Sequence, residues 1–319
     1  MKETLRNNCD LFAENYYEMK KNFKWSNSIS MRLGALLYVL ENQTLDVREI
    51  NRSRKIINDN TGALSQFKDI TNFMVSVFLS FQKEPEVSFK RILNTYDAMK
   101  KEGFHSSPYL ILAAMSVVFQ AEQEQYQQII TSARGYYNAM KAEHRFITTS
   151  DDYCYSALLA INGKPVSEDI LEMENCYQRL KENFTHSNAI QSLSHILTLN
   201  SEPTDIKCKR VEDLYHALRR RKCKFGLGIE LSFLGVVLLL SEESEKLADE
   251  IAEINEYLGS KKGFGTWSLI DKERIMYSIA IACSQYLDDA KKNTLELILA
   301  NNITGIIRSK QVTTVTAAT

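Results

Sequence analysis

Seven blocks of one design recur along the chain: an amphipathic run, a Lys-rich turn, a Phe, a capping residue and then a strongly apolar run. The third block, TYDAMKKEGFHSSPYLILAAMSVVF, is the clearest. YYEMKKNFKWSNSISMRLGALLYVL, YYNAMKAEHRFITTSDDYCYSALLAI, CYQRLKENFTHSNAIQSLSHILTL and LYHALRRRKCKFGLGIELSFLGVVLLL follow it closely. GALSQFKDITNFMVSVFLSF and NEYLGSKKGFGTWSLIDKERIMYSIAIAC are looser copies. The anchoring aromatics are Phe23, Phe67, Phe104, Phe146, Phe184, Phe225 and Phe264, with successive spacings of 44, 37, 42, 38, 41 and 39 residues. Self-similarity at a period near 40 is the signature of stacked supersecondary units that cannot bury their apolar faces alone.

Each block reads as two helices. In the third, Phe89, Ile92, Leu93, Tyr96 and Met99 form a stripe at helical spacing, with Lys90, Arg91, Asn94 and Asp97 opposite. Gly103 sits where a helix terminator is expected, Ser107 can cap the next helix, and Pro108 suits its first position. The second helix, Tyr109 to Phe119, is apolar nearly all round, as a helix walled in by its partner and by neighbouring repeats must be. The Phe after each turn is expected to plug the junction between helices.

The expected fold is all-α: a right-handed α-α superhelix, or solenoid, of about seven hairpins forming a single domain over residues 1–309. The period exceeds the 34 residues of tetratricopeptide arrays and lies closer to HEAT and armadillo lengths. Residues 1–22 supply the first helix and roughly 290–309 a polar-faced terminal helix that caps the stack. Residues 310–319 are expected to be a disordered tail.

Composition agrees with a helical reading. Only 12 Gly and 4 Pro occur in 319 residues, too few turn formers for a sheet protein of this length. The start lacks an apolar signal core, and the longest apolar stretches, such as Leu231 to Leu240, are too short to span a bilayer, so a cytoplasmic protein without a membrane span is expected. Cys9, Cys154, Cys176, Cys208, Cys223 and Cys283 are scattered and read as buried small hydrophobes.

The Lys-rich turn, Phe and apolar helix, most clearly from Phe23 to Leu40 and from Tyr96 to Phe119, resemble a bacterial family of uncharacterised all-helical proteins. It is the domain-of-unknown-function family four-zero-zero-three. The resemblance implies a bacterial cytosolic helical protein and brings no activity or site residues.

Charge is segregated although the net charge is only −1. Turns inside the repeats are basic, holding Lys20, Lys21, Lys24, Lys68, Lys100, Lys101, Lys141, Arg145, Lys181, Lys261 and Lys262 besides a cluster from Arg219 to Lys224. Turns between repeats are acidic, as at Glu84, Glu86, Glu122, Glu124, Glu168, Asp169, Glu242, Glu243 and Glu245. Helix dipoles alone favour this arrangement by about 0.3–1 kcal/mol per charge. The cluster exceeds what one helix end can use, so Lys207, Lys209, Arg210, Arg219, Arg220, Arg221, Lys222 and Lys224 form the candidate contact site for an acidic partner or phosphate backbone. Intramolecular pairing with the acidic helix from Glu242 to Glu256 is the competing reading.

No H-E-x-x-H, P-loop, dinucleotide fingerprint or nucleophile elbow occurs. Asp151-Asp152 and Asp288-Asp289 lack the third Asp of a prenyl-transfer motif and read as helix starts. His105, His144 and His186 fall in successive turns, too far apart for one metal. The sequence therefore points to a non-enzymatic interaction scaffold for a protein or peptide partner, without cofactor or metal. Binding of nucleic acid or an anionic surface through the basic edge is the alternative, and an unrecognised enzyme the second.

Overall fold

The computed structural model describes residues 1–239 and 243–318. Leu240 and Glu242, which the sequence places in an apolar run and an acidic turn, lie outside the described residues. Among those described there are helices and no strand: α1 (Glu3–Asn22), α2 (Ser28–Leu40), α3 (Val47–Asn60), α4 (Asp69–Ser80), α5 (Pro85–Lys101), α6 (Pro108–Gln120), α7 (Tyr126–Glu143), α8 (Tyr153–Asn162), α9 (Val166–Lys181), α10 (Ser187–Thr198), α11 (Thr204–Arg220), α12 (Ser244–Ser260), α13 (Asp271–Ser284) and α14 (Asp289–Ala318). The apolar run of the sixth block, Ile229–Leu239, is 3₁₀-helical. No described helix is long and apolar enough to cross a membrane.

The chain divides into two compact units. One holds residues 1–14, 39–42 and 164–295; the other holds 15–38, 43–163 and 296–319.

In the second of these units α3 packs on α4, α5 on α6 and α7 on α8, and the first helices α3, α5 and α7 lie side by side. The turn of the third block is built as its residues dictate. Gly103 takes φ 98°, a left-handed conformation that an L side chain resists. The Ser107 hydroxyl then accepts the Leu110 N–H at 3.1 Å, and Pro108 occupies the first turn of α6. From Tyr109 to Val117 every residue of α6 is buried, as are Thr71 to Leu79 of α4 and Tyr153 to Ala160 of α8. In α2, Gly34 lets neighbours approach closely: a Cβ there would lie 2.8 Å from the Met19 methyl and 3.2 Å from Val77.

Anchoring Phe residues wedge between successive hairpins. Phe67 meets Phe89 and Tyr96 of α5 edge-on at centroid distances of 5.5 and 5.4 Å. Phe104 meets Tyr137 of α7 and Tyr153 of α8 at 6.1 and 4.9 Å. Phe146 departs from this pattern. It is 94% exposed, and Thr148, 2% exposed, is buried instead, with its hydroxyl donating to the Met140 carbonyl. The turn after α7 reaches Tyr153 by a longer route through Thr149–Asp152, which leaves Phe146 on the outside of the bend.

Residues 296–307 correct the expectation of a polar-faced cap. Leu297, Ile298, Leu299, Ala300, Ile303 and Ile307 are buried, and so are Asn301, Asn302 and Thr304, the residues that suggest a wet face. The polar ones bond inside the unit: Tyr155 donates to Asn302 at 2.8 Å, Asn301 to the Asp151 carbonyl at 3.1 Å, and Thr304 to the Ala300 carbonyl at 2.8 Å. This stretch of α14 is a core helix reaching α4 at Met74, α6 at Tyr109 and α8 at Tyr155. The helix is drawn through Ala318, across the stretch for which the sequence suggests a disordered tail.

In the other unit α9 pairs with α10, α12 with α13, and α11 lies against α9, α12 and the 3₁₀ segment. Phe184 wedges against Tyr215 of α11 at 5.2 Å. Phe264, after α12, meets Phe12 of α1 at 4.9 Å, and Phe12 also meets Tyr277 at 5.4 Å. The start of α1 thus serves the α12–α13 hairpin as α5, α7 and α11 serve the hairpins anchored by Phe67, Phe104 and Phe184. Asp10 takes part in the same contact, accepting from Tyr257 at 3.0 Å and pairing with Lys261. All six cysteines are buried and free, as the sequence leads one to expect.

The wedge and its exception give a paired expectation. Phe104→Ala should cost about 3–5 kcal/mol in urea unfolding, as large-to-small changes of a buried aromatic do. Phe146→Ala, at a fully wetted position, should change stability by less than about 0.5 kcal/mol.

Candidate functional site

The predicted basic site divides once its side chains are placed. Lys207 is wholly buried in α11; its Nζ lies 2.5 Å from Glu172 of α9 and donates to the Asn200 carbonyl at 3.2 Å. It is a structural cation, as a buried charge must be when it is paired and hydrogen-bonded. Burial pushes the Glu172 carboxyl up, but the bonds from Lys207 and Thr204 more than reverse this and hold it below its ordinary value. Lys209 pairs with Asp213 one turn along at 2.9 Å, and Arg210 with Glu202 at 2.7 Å.

At the end of α11, Arg220 pairs with Glu245, and Arg221 with Asp249 at 2.6 Å and Glu245 at 2.9 Å. Arg221 also donates to the carbonyls of Ala217 and Glu245. The Arg221 guanidinium and the Arg220 guanidinium hold Glu245 below its ordinary value, and Arg221 does the same to Asp249. Pairing with the acidic helix, the competing reading of the sequence, accounts for these two arginines. Arg219 donates to the Tyr215 hydroxyl at 3.0 Å and lies over that ring. Lys222, with φ 61°, and Lys224 are exposed and have no carboxylate partner among the described residues. A groove of about 550 Å³ is lined by Arg210, Asp213, His216, Arg220, Glu243, Ser244 and Glu245, so both signs of charge face it.

Charge also links neighbouring first helices elsewhere. Arg52 of α3 reaches Glu86 of α5 at 3.0 Å, and Arg179 of α9 reaches Glu212 of α11 at 3.0 Å. The basic and acidic ends therefore complement helix dipoles and staple adjacent helices laterally.

The turn tips hold what the charge pattern misses. In the unit containing α3–α8, Trp25 is 101% exposed, Leu64 100% and Phe146 94%. All three lie in turns that lead from a first helix to a second, beside Lys24, Lys68 and Arg145. Large apolar side chains fully in water are unusual. The sequence signal was present: Trp25 is one of only two tryptophans and falls in a Lys-rich polar turn, where no helical stripe recruits it.

The carboxyl of Asp152 is held well above its ordinary value by complete burial and by Asp151 beside it. It accepts the Thr149 N–H at 2.9 Å in a capping box at the start of α8, a structural role that agrees with the helix-start reading. Among the described residues no group of three His, Cys, Asp or Glu is placed to hold a metal.

The family described as "protein of unknown function (DUF4003)" matches residues 15–312. The chain belongs to that family. An uncharacterised protein of Bacillus subtilis (strain 168), YeaA, is 27% identical over 193 residues, which are 59% of this chain and 58% of that protein. The chain thus matches less than two thirds of that relative's length, and no solved structure matches.

Lys207→Ala should lower stability by about 2–3 kcal/mol at neutral pH, because it leaves Glu172 without its buried partner. Lys209→Ala should be near neutral. The Lys207 deficit should shrink as pH falls. A carboxyl with a lowered folded-state pKa contributes fully above its ordinary value of 4.5, and that contribution disappears as pH drops through the lowered value. Urea midpoints of the variants across that pH range measure both effects.

Proposed function

We propose that the chain is a non-enzymatic helical-repeat scaffold of the cytoplasm that docks a protein or peptide partner along an edge of turns. Residues 1–309 are read as one right-handed α-α array of about seven hairpins with a period near 40 residues. Hairpin pairing within each unit and the repeated aromatic wedges support that architecture. One-dimensional arrays commonly serve as extended binding surfaces.

The observation that carries the reading is the full exposure of Trp25, Leu64 and Phe146 among lysines and an arginine. Burying three such side chains against a partner would contribute about 1.5–3 kcal/mol each. The surrounding cations favour a partner segment that is acidic as well as apolar.

A photoactivatable phenylalanine analogue placed singly at Trp25, Leu64 and Phe146 tests this in cells. The expectation is one and the same protein cross-linked from all three positions. Its capture from any one position should be lost when the other two are changed to Ser, with the thermal midpoint unmoved. Unrelated products from the three positions, or none, would remove the reading.

A second reading, binding of a nucleic acid or other polyanion, is favoured by the exposed Lys222 and Lys224, which have no carboxylate partner among the described residues. Lys222→Glu with Lys224→Glu should abolish retention on heparin if that reading holds, without the structural damage that reversing the paired Arg221 would bring.

A further inference from the structure

The unit that contains α2 to α8 has a cleft of about 600 Å³ at the amino-terminal ends of α2 and α4. An adjoining hollow of about 210 Å³ shares Asp69, Ile70 and Gln311 with it and reaches Pro108, at the start of α6, and Arg308. Three second helices therefore present their positive ends to one connected space.

At α4 that end is open. Lys68 occupies the cap position without a side-chain bond to the helix, and no acceptor meets the backbone N–H of Asp69 or Ile70 among the described residues. Lys24 and Arg54 line the larger cleft, and Lys68 and Arg308 the smaller hollow. Arg54 lies over the Phe23 ring at 5.8 Å and Arg308 over the Tyr109 ring at 5.6 Å. None of the four has a carboxylate partner among the described residues, in contrast to Arg210, Arg220 and Arg221. Asp69 is the single carboxylate facing this space.

An independent feature points to a ligand. Ser30, in the first turn of α2, lines the larger cleft and is 1% exposed, yet its hydroxyl has no hydrogen-bond partner among the described residues. A buried hydroxyl without a partner is costly, and native structures rarely keep one.

We infer that this cleft binds a phosphomonoester, with the phosphoryl oxygens taking the Ser30 hydroxyl, the open N–H groups of α4 and the Arg54 guanidinium. A doubly charged tetrahedral group matches a space with several cations, converging helix ends and a hydroxyl donor better than a planar monovalent carboxylate does. The chemistry is shared by a free phosphorylated small molecule and a phosphorylated side chain of a partner. The inference does not depend on the docking role of the turn tips.

Trp25 lines the same cleft and supplies the readout. In a Trp267→Phe background the full chain carries one tryptophan, Trp25, whose emission can be titrated with inorganic phosphate at constant ionic strength, with acetate as control. A saturable change is expected with phosphate and not with acetate. Arg54→Ala should weaken it about tenfold, as loss of a charge-assisted contact does. Ser30→Ala should weaken it while leaving the thermal midpoint equal or higher, because the substitution removes an unpaired buried group; a merely structural Ser30 would leave binding alone. Asp69→Asn should tighten it several-fold. No saturable response to phosphate, an equal response to acetate, or indifference to Arg54→Ala would overturn the inference. A phosphoserine peptide binding more tightly than phosphate would assign the group to a partner, and equal affinity would assign it to a free small molecule.

Discussion

The fold depends on an aromatic ring inserted where one helical hairpin meets the next. A two-helix hairpin cannot enclose its own second helix, so burial of that helix requires a neighbour held at the right distance. Phe67 and Phe184 supply this by meeting an aromatic of the following first helix edge-on, and Phe104 by meeting Tyr137 of α7 at a tilt and Tyr153 of α8 edge-on. Such geometry adds about 0.5–1.5 kcal/mol beyond area burial and fixes the approach of the two helices. With the ring in place α4, α6 and α8 lose contact with water almost entirely, and their ends are left to face the turns.

That division between dry second helices and turns in water sets where function can reside. Among the described residues no group of three His, Cys, Asp or Glu is placed to hold a metal. The Asp152 carboxyl, raised by its burial, belongs to a capping box, and the buried Lys207 is paired with Glu172. At the turns, by contrast, the positive ends of second helices, cations without a carboxylate partner among the described residues, and exposed apolar side chains all occur. Charge in this protein has two settings. Where a first helix has an acidic neighbour, as at Arg52, Arg179 and Arg221, it staples helices together. At Arg54 and Lys222 no carboxylate partner is present among the described residues.

Much of the fold was legible in the sequence because helical periodicity and turn chemistry are local. Gly103, Ser107 and Pro108 behave as their intrinsic preferences dictate, and the buried cysteines and the capping role of Asp152 follow from residue type. Three features were not legible. Phe146 carries the repeat's spacing but not its environment, because the loop before Tyr153 takes a different path. Asn301, Asn302 and Thr304 look like a wet face, and only the partners Asp151 and Tyr155, distant in sequence, show that they are satisfied inside. The density of positive charge from Lys207 to Lys224 suggests one surface, whereas Glu172, Glu202 and Glu245, brought in by neighbouring helices, neutralise much of it. In each case the deciding contact is long-range, which a periodic pattern does not encode.

The central claim is that one aromatic wedge organises successive hairpins, including the α12–α13 hairpin, whose Phe264 uses Phe12 of α1 as its seat. The most direct test is a double-mutant cycle on Phe12 and Phe264, each changed to Leu, followed by urea unfolding. The account predicts a coupling of about 0.5–1.5 kcal/mol between the two rings. Strict additivity of the two substitutions would show that the rings do not depend on each other and would contradict it.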